Sequence, residues 1–175
     1  MNPIRVTAVV VGVVVLILVG VLATRDSGDD RMDTYLIGEA APQILAQTFE
    51  GELWDLDNQR GRWVVVNFFS TTCIPCIQEH PHLVNFAESH KQDDDVRIVT
   101  ISFSDTETAV QEFFRLNGGD WPVLTSGTER VAVDWGVVAV PESYLVSPAG
   151  FVAAKVLGGV TQDYLEDLLL EARSR

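Results

Sequence analysis

Cys73 and Cys76 are the only cysteines in this 175-residue chain, and they close the run Asn67-Phe68-Phe69-Ser70-Thr71-Thr72-Cys73-Ile74-Pro75-Cys76. Two thiols three residues apart, directly after an apolar strand-like segment, are suited to thiol–disulfide exchange. If the first sits at the N-terminal edge of a helix and the second one turn in, the sulfurs can bond, and the helix end favours a thiolate on the first. Cys73 is then the attacking sulfur and Cys76 the resolving one, and the pair is itself the redox centre, with no other cofactor. A purely structural bridge is the poorer reading, because so short a loop restrains the unfolded chain little. The residue types also allow a zinc site from Cys73, Cys76, His80 and His82. The spacing is tighter than a finger pattern, however, and three of the four ligands would lie on or beside one short helix. His80, His82 and His90 are therefore read as solvated helix residues.

The elements that must position the pair follow from the pattern around it. Trp63 to Phe69 is a β-branched and aromatic run whose near-continuous apolarity fits a central strand buried on both faces. Ile74 to about Lys91 repeats apolar residues at helical spacing, with Pro81 as an internal kink. Val96 to Phe103 reads as a second buried strand. Ser104 and Asp105 then offer capping oxygens to a helix carrying Val110, Phe113, Phe114 and Leu116, ended by Asn117-Gly118-Gly119. Trp121 to Leu124 is a short strand, and Thr128 caps a short helix through Trp135. Glu142 to Val146 and Phe151 to Leu157 flank the turn Ser147-Pro148-Ala149-Gly150 as a hairpin, and a last helix runs from Thr161 to about Arg173. Pro42 to Asp57, with Glu50-Gly51 at its turn, predicts a hairpin ahead of the main sheet. The alternation predicts an α/β sandwich on a mixed sheet, parallel at its earlier crossovers and antiparallel at its last pair.

Val6 to Ala23 is an 18-residue apolar run, about 27 Å of helix and enough to cross a bilayer core. Arg5 precedes it, and Asp26, Asp29 and Asp30 follow alongside Arg25 and Arg31, which places the N-terminus in the cytoplasm and the rest outside. A cleaved signal peptide fits less well: the run exceeds the usual apolar core, and Val21-Leu22-Ala23 is a poor cleavage pattern. The expected organisation is a cytoplasmic stub at 1–5, a transmembrane anchor at 6–23, a linker at 24–37 and one domain at 38–175. The formal net charge of −13 argues against nucleic acid as a partner.

A buried strand leading into Cys-x-x-Cys on a kinked helix, followed later by Val140-Pro141-Glu142-Ser143-Tyr144-Leu145-Val146, resembles the thioredoxin fold. More closely, the chain is similar to the membrane-anchored TlpA, ResA and CcmG (DsbE) group of thiol–disulfide oxidoreductases, over about Gly38 to Ala172. The anchor, the N-terminal hairpin, Glu79 three residues after Cys76, and the 65-residue interval from Cys76 to Pro141 carry that likeness. The interval leaves room for the central insertion of that group, around Val96 to Leu124. Pro141-Glu142 with Ser143-Tyr144-Leu145 is similar to the cytochrome c maturation branch. Two features depart from the usual pattern: Thr72 stands where an aromatic residue usually precedes the first Cys, and Phe69-Ser70 stands in place of an aromatic-Ala pair, which makes the cleft beside Cys73 more polar; Asn67 stands where thioredoxin carries a buried Asp, as is common in this group.

The resemblance implies roles. Glu79 lies under the Cys pair and Glu142 beside it, each a carboxylate whose partial desolvation raises its pKa toward proton exchange with Cys76. Negative charge nearby also disfavours the thiolate, which makes the disulfide more reducing and predicts a reductant. Pro141 is expected in cis, leaving the Val140 backbone free to bind an extended substrate. The implied partners are a protein disulfide such as the Cys-x-x-Cys-His site of apocytochrome c, and a membrane electron donor of the CcdA or DsbD kind. The implied location is the bacterial cytoplasmic membrane, with the domain on its outer side. Two alternatives share the fold. A thioredoxin-fold peroxidase needs Ser or Thr three residues before its Cys and Pro seven before; Ser70 meets the first condition and Val66 fails the second. A Sco-like copper-delivery protein uses Cys-x-x-x-Cys and a distant His, whereas this chain has a two-residue spacer and no His beyond His90.

Overall fold

The computed structural model describes residues 11–17 and 34–174. Residues 11–17 are helical, and the rest of the expected 6–23 span lies outside the described residues. Among the described residues no helix is long and apolar enough to cross a membrane.

From residue 34 onward the chain forms seven strands and four α-helices. The strands are β1 (Leu45–Thr48), β2 (Leu53–Asp55), β3 (Trp63–Phe69), β4 (Val96–Ser102), β5 (Val123–Ser126), β6 (Glu142–Val146) and β7 (Val152–Leu157). The helices are α1 (Ile74–His90), α2 (Glu107–Asn117), α3 (Thr128–Asp134) and α4 (Gln162–Arg173). All seven strands form one sheet in the order β2-β1-β5-β4-β3-β6-β7. β3 pairs with β4, and β4 with β5, in parallel, while β3–β6 and β6–β7 are antiparallel. The sheet is therefore mixed as expected. The Pro42 to Asp57 hairpin is the pair β1–β2, docked antiparallel on β5.

The period of two in β3 splits the interior into two layers. Val64, Val66 and Phe68 face one side with Trp135, Tyr144 and Val146, covered by α3. Val65 faces the other side with Leu83 and Phe86 of α1 and Leu165, Leu168 and Leu169 of α4. Phe69, on that same side, packs with Cys76 and with Val110 and Phe114 of α2. β3 is thus buried on both faces, which is why it reads as an unbroken apolar run.

Four local expectations are corrected. Thr106, not Ser104-Asp105, caps α2, accepting from the Ala109 amide. Gly127, in the left-handed region at φ +78°, precedes α3, so Thr128 opens that helix without capping it. The strand after α2 begins at Val123 rather than Trp121. Leu36 is buried in the core and Gly38 donates to the Val152 carbonyl at 2.8 Å, so the chain joins the domain before the expected end of the linker. Pro81 lies inside α1, which nevertheless continues to His90.

Candidate active site

The site is built where β3 hands the chain to α1. Cys73 is the N-cap of α1, with extended backbone at φ −85° and ψ 111°, and Pro75 occupies the first turn, where its missing N–H costs nothing. The two cysteines form a disulfide, with Cα atoms 5.2 Å apart. The Cys76 amide points at Cys73 Sγ from 3.2 Å, so the helix end offers that sulfur both an N–H and the positive end of its dipole. Cys73 is half-buried and Cys76 fully buried, which leaves the first sulfur as the accessible one.

Glu79 follows Cys76 by three residues on the inward face of α1 and is 2% exposed. Its Oε1 accepts from Asn67 Nδ2 at 2.9 Å and its Oε2 from the Val160 amide at 3.0 Å. Burial pushes its carboxyl up to about 7, against the opposing pull of the Val160 and Asn67 donors. Asn67 also donates to Ser143 Oγ at 3.1 Å, tying β3, α1 and β6 together beneath the disulfide.

Val140 brings its carbonyl oxygen to 3.5 Å from Cys73 Sγ, and the Val140–Pro141 peptide bond is cis, as expected. Glu142 is placed differently from the expectation. It pairs in register with Phe68, and Phe68 faces the layer of Trp135 and Tyr144, so Glu142 lies on the opposite side of the sheet from Glu79. Its carboxylate is fully buried. Oε2 meets Lys155 Nζ at 3.0 Å, and Oε1 accepts from the Val138 and Ala139 amides at 2.9 and 3.2 Å.

Three residues escaped the sequence reading. Lys155, in the apolar run of β7, is 5% exposed. Asp105, expected as a helix cap, instead accepts from the Thr71 amide at 2.9 Å, the Thr71 hydroxyl at 2.7 Å, and the Ser70 and Ser102 hydroxyls at 3.2 and 3.3 Å. The polar Ser70-Thr71-Thr72 run is therefore a tethered loop. Phe69 pairs with Ser102, so the residues after each strand meet.

His80 is the third and a correction. It is 2% exposed, between Phe113 and Phe114 with ring centroids at 4.9 and 5.1 Å, and its Nε2 donates to the Gly118 carbonyl at 2.9 Å. Burial pulls its pKa below the usual imidazole value. His90 is likewise held between Asp95 and Glu166, at 3.1 Å from each. The Cys73, Cys76, His80, His82 set is not assembled, and among the described residues no three His, Cys, Asp or Glu side chains gather as metal ligands.

The family model described as AhpC/TSA family matches residues 37–155. The chain belongs to that family. It is 29% identical over 149 residues to the thiol:disulfide interchange protein HelX of Rhodobacter capsulatus, covering 83% of this chain and 82% of HelX. It is 28% identical over 132 residues to the thiol-disulfide oxidoreductase ResA of Bacillus subtilis, covering 75% of this chain and 73% of ResA. Among solved structures, the thioredoxin domain of a thiol-disulfide oxidoreductase from Bacteroides vulgatus superposes with a TM-score of 0.69 at 25% identity, over 79% of this chain and 98% of that one. A second, MTB DsbF, superposes at 0.67 with 26% identity, over 74% and 95%. The fold is thioredoxin-like, as the Cys-x-x-Cys and Val-Pro segments imply.

Proposed function

We propose that the protein is a thiol–disulfide oxidoreductase that reduces disulfides in polypeptide substrates on the outer side of the bacterial cytoplasmic membrane, where the 6–23 segment anchors it. The observation that carries the reading is the Cys73–Cys76 disulfide at the N-terminus of α1 with Glu79, a carboxyl whose pKa is about 7, buried one turn behind Cys76. The names of relatives such as HelX and ResA support the same activity.

In the reduced protein the Cys73 thiolate attacks one sulfur of a substrate disulfide, forming a mixed disulfide and releasing the other substrate sulfur as a thiolate. Cys76 then gives its proton to Glu79 and attacks Cys73. The Cys73–Cys76 bond forms as the mixed disulfide breaks, and two electrons have passed to the substrate. The substrate lies extended along Val140, a half-buried residue whose carbonyl borders Cys73. A carboxylate near the pair opposes the thiolate and so stabilises the oxidised form, which makes the pair a reductant. The partners that the family resemblance supports are the Cys-x-x-Cys-His site of apocytochrome c as substrate and a membrane donor of the CcdA or DsbD kind for recharging. The pair carries the electrons without another cofactor.

The deciding experiment is the reduction potential of the pair in dithiothreitol buffers, with metal content assayed on the same sample. A value near or below that of thioredoxin, about −270 mV, supports the reductant. A value near that of DsbA, about −120 mV, or stoichiometric copper or zinc, overturns it in favour of an oxidase or a metal carrier.

A further inference from the structure

Lys155 is the one lysine buried among the described residues, and no part of the exchange chemistry above uses it. It stands on β7 opposite Tyr144, on the same face of the sheet as Glu142. Its Nζ is 3.0 Å from Glu142 Oε2, donates to the Gly136 carbonyl at 3.2 Å, and lies 5.1 Å from the centre of the Tyr144 ring. Tyr144 in turn donates to the Trp135 carbonyl at 2.6 Å. With the Val138 and Ala139 amides on Glu142, these three side chains hold four backbone positions between Trp135 and Ala139. That segment ends at Val140, the residue beside Cys73.

Stability alone is a weak reason for such a group, since a buried ion pair is often no better than an apolar pair of the same volume. What the charges add here is direction: nearly every hydrogen bond they spare goes to the backbone of one segment. We propose that Lys155 is a positioning residue for the substrate, holding the Glu142 carboxylate so that residues 135–140 present the Val140 backbone to an extended polypeptide disulfide at Cys73. The inference rests on the oxidoreductase reading above. Without Lys155 the buried carboxylate has no counter-charge, draws in water or turns out, and releases the Val138 and Ala139 amides. A small disulfide that does not lie along Val140 loses nothing by that release, whereas a polypeptide loses its alignment.

The test compares kcat/KM of the reduced protein for a disulfide-cyclised Cys-x-x-Cys peptide and for hydroxyethyl disulfide. In K155M the ratio of the two is expected to fall roughly tenfold or more, chiefly through KM for the peptide. In K155M/E142Q, where a neutral amide can still accept from Val138 and Ala139, most of the ratio is expected to return. K155Q, which keeps a polar group of similar reach, carries the same comparison if K155M does not fold. A ratio equal to that of the wild type in the folded single variant, or a fall that E142Q does not reverse, overturns the proposal. Wild-type protein that reduces neither substrate instead overturns the oxidoreductase reading.

Discussion

Asn67 donates from Nδ2 to Oε1 of Glu79 at 2.9 Å in a site closed to solvent, so the strand that leads into the cysteines and the helix that carries them share one carboxylate. That bond and the one from Val160 only partly offset the cost of burying a charge, and the carboxyl stays raised to about 7. The folded protein therefore holds this proton more tightly than the unfolded chain does. The stabilisation is complete below the unfolded value of 4.5 and is lost as pH rises through about 7. Urea unfolding of the oxidised domain should lose on the order of 3 kcal/mol from this group between pH 4.5 and 7.5. Glu79→Gln should remove that part of the slope; an unchanged slope would show that the carboxyl is not raised.

His80 works in the opposite sense. Its pKa is depressed by burial, so the unfolded chain binds this proton more tightly than the folded one. Its contribution is present above the unfolded value of 6.5 and is lost as pH falls through the depressed folded value. Just below pH 6.5 the two groups act with opposite slopes, so the wild type should show a flatter profile there than either His80→Phe or Glu79→Gln alone. Side-chain NMR should find His80 neutral, with the proton on Nε2, at a pH where a solvated histidine is already charged. A normally titrating ring would contradict this placement.

The cysteines differ in access, and their variants should differ accordingly. Cys73→Ser should abolish turnover, while Cys76→Ser should accumulate a mixed disulfide between Cys73 and the substrate, visible by mass spectrometry of non-reduced protein. Glu79→Gln should leave the attack by Cys73 in place but slow the resolving step by about 10²-fold, because Cys76 loses its buried proton acceptor. A folded Cys76→Ser protein that traps no adduct would refute the exchange mechanism.

Much of this was legible from residue order because it depends on local pattern. The unbroken apolar run Trp63 to Phe69 signals a strand covered on both sides, and Cys-x-x-Cys after such a strand places the sulfurs at a helix start. Glu79, three residues after Cys76, was reached through the family resemblance rather than through local pattern. What was not legible depends on pairs distant in sequence. Whether Glu142 lies beside the sulfurs or behind the sheet is decided by its register with Phe68, and the burial of Lys155 by its register with Tyr144. His80 looked solvated because the aromatic residues that cover it come from α2, more than thirty residues on.

Asp105 is the most easily tested of these distant contacts. Ser104, at φ 62° in the left-handed region, turns the chain after β4, and the Asp105 carboxylate then takes donors from Ser70, Thr71 and Ser102. The Ser70 carbonyl in turn accepts the Cys73 amide at 3.2 Å, so Asp105 fixes the loop from which the attacking sulfur projects. Removing it leaves several partly buried donors without an acceptor. Asp105→Ala should therefore destabilise the domain by about 1–3 kcal/mol in chemical denaturation. Asp105→Asn, which keeps one acceptor oxygen for the Thr71 amide, should cost less. If the loop positions Cys73, alkylation of the reduced protein by iodoacetamide should also change in Asp105→Ala and recover in Asp105→Asn. Equal alkylation rates in both variants and the wild type would confine Asp105 to a stabilising role.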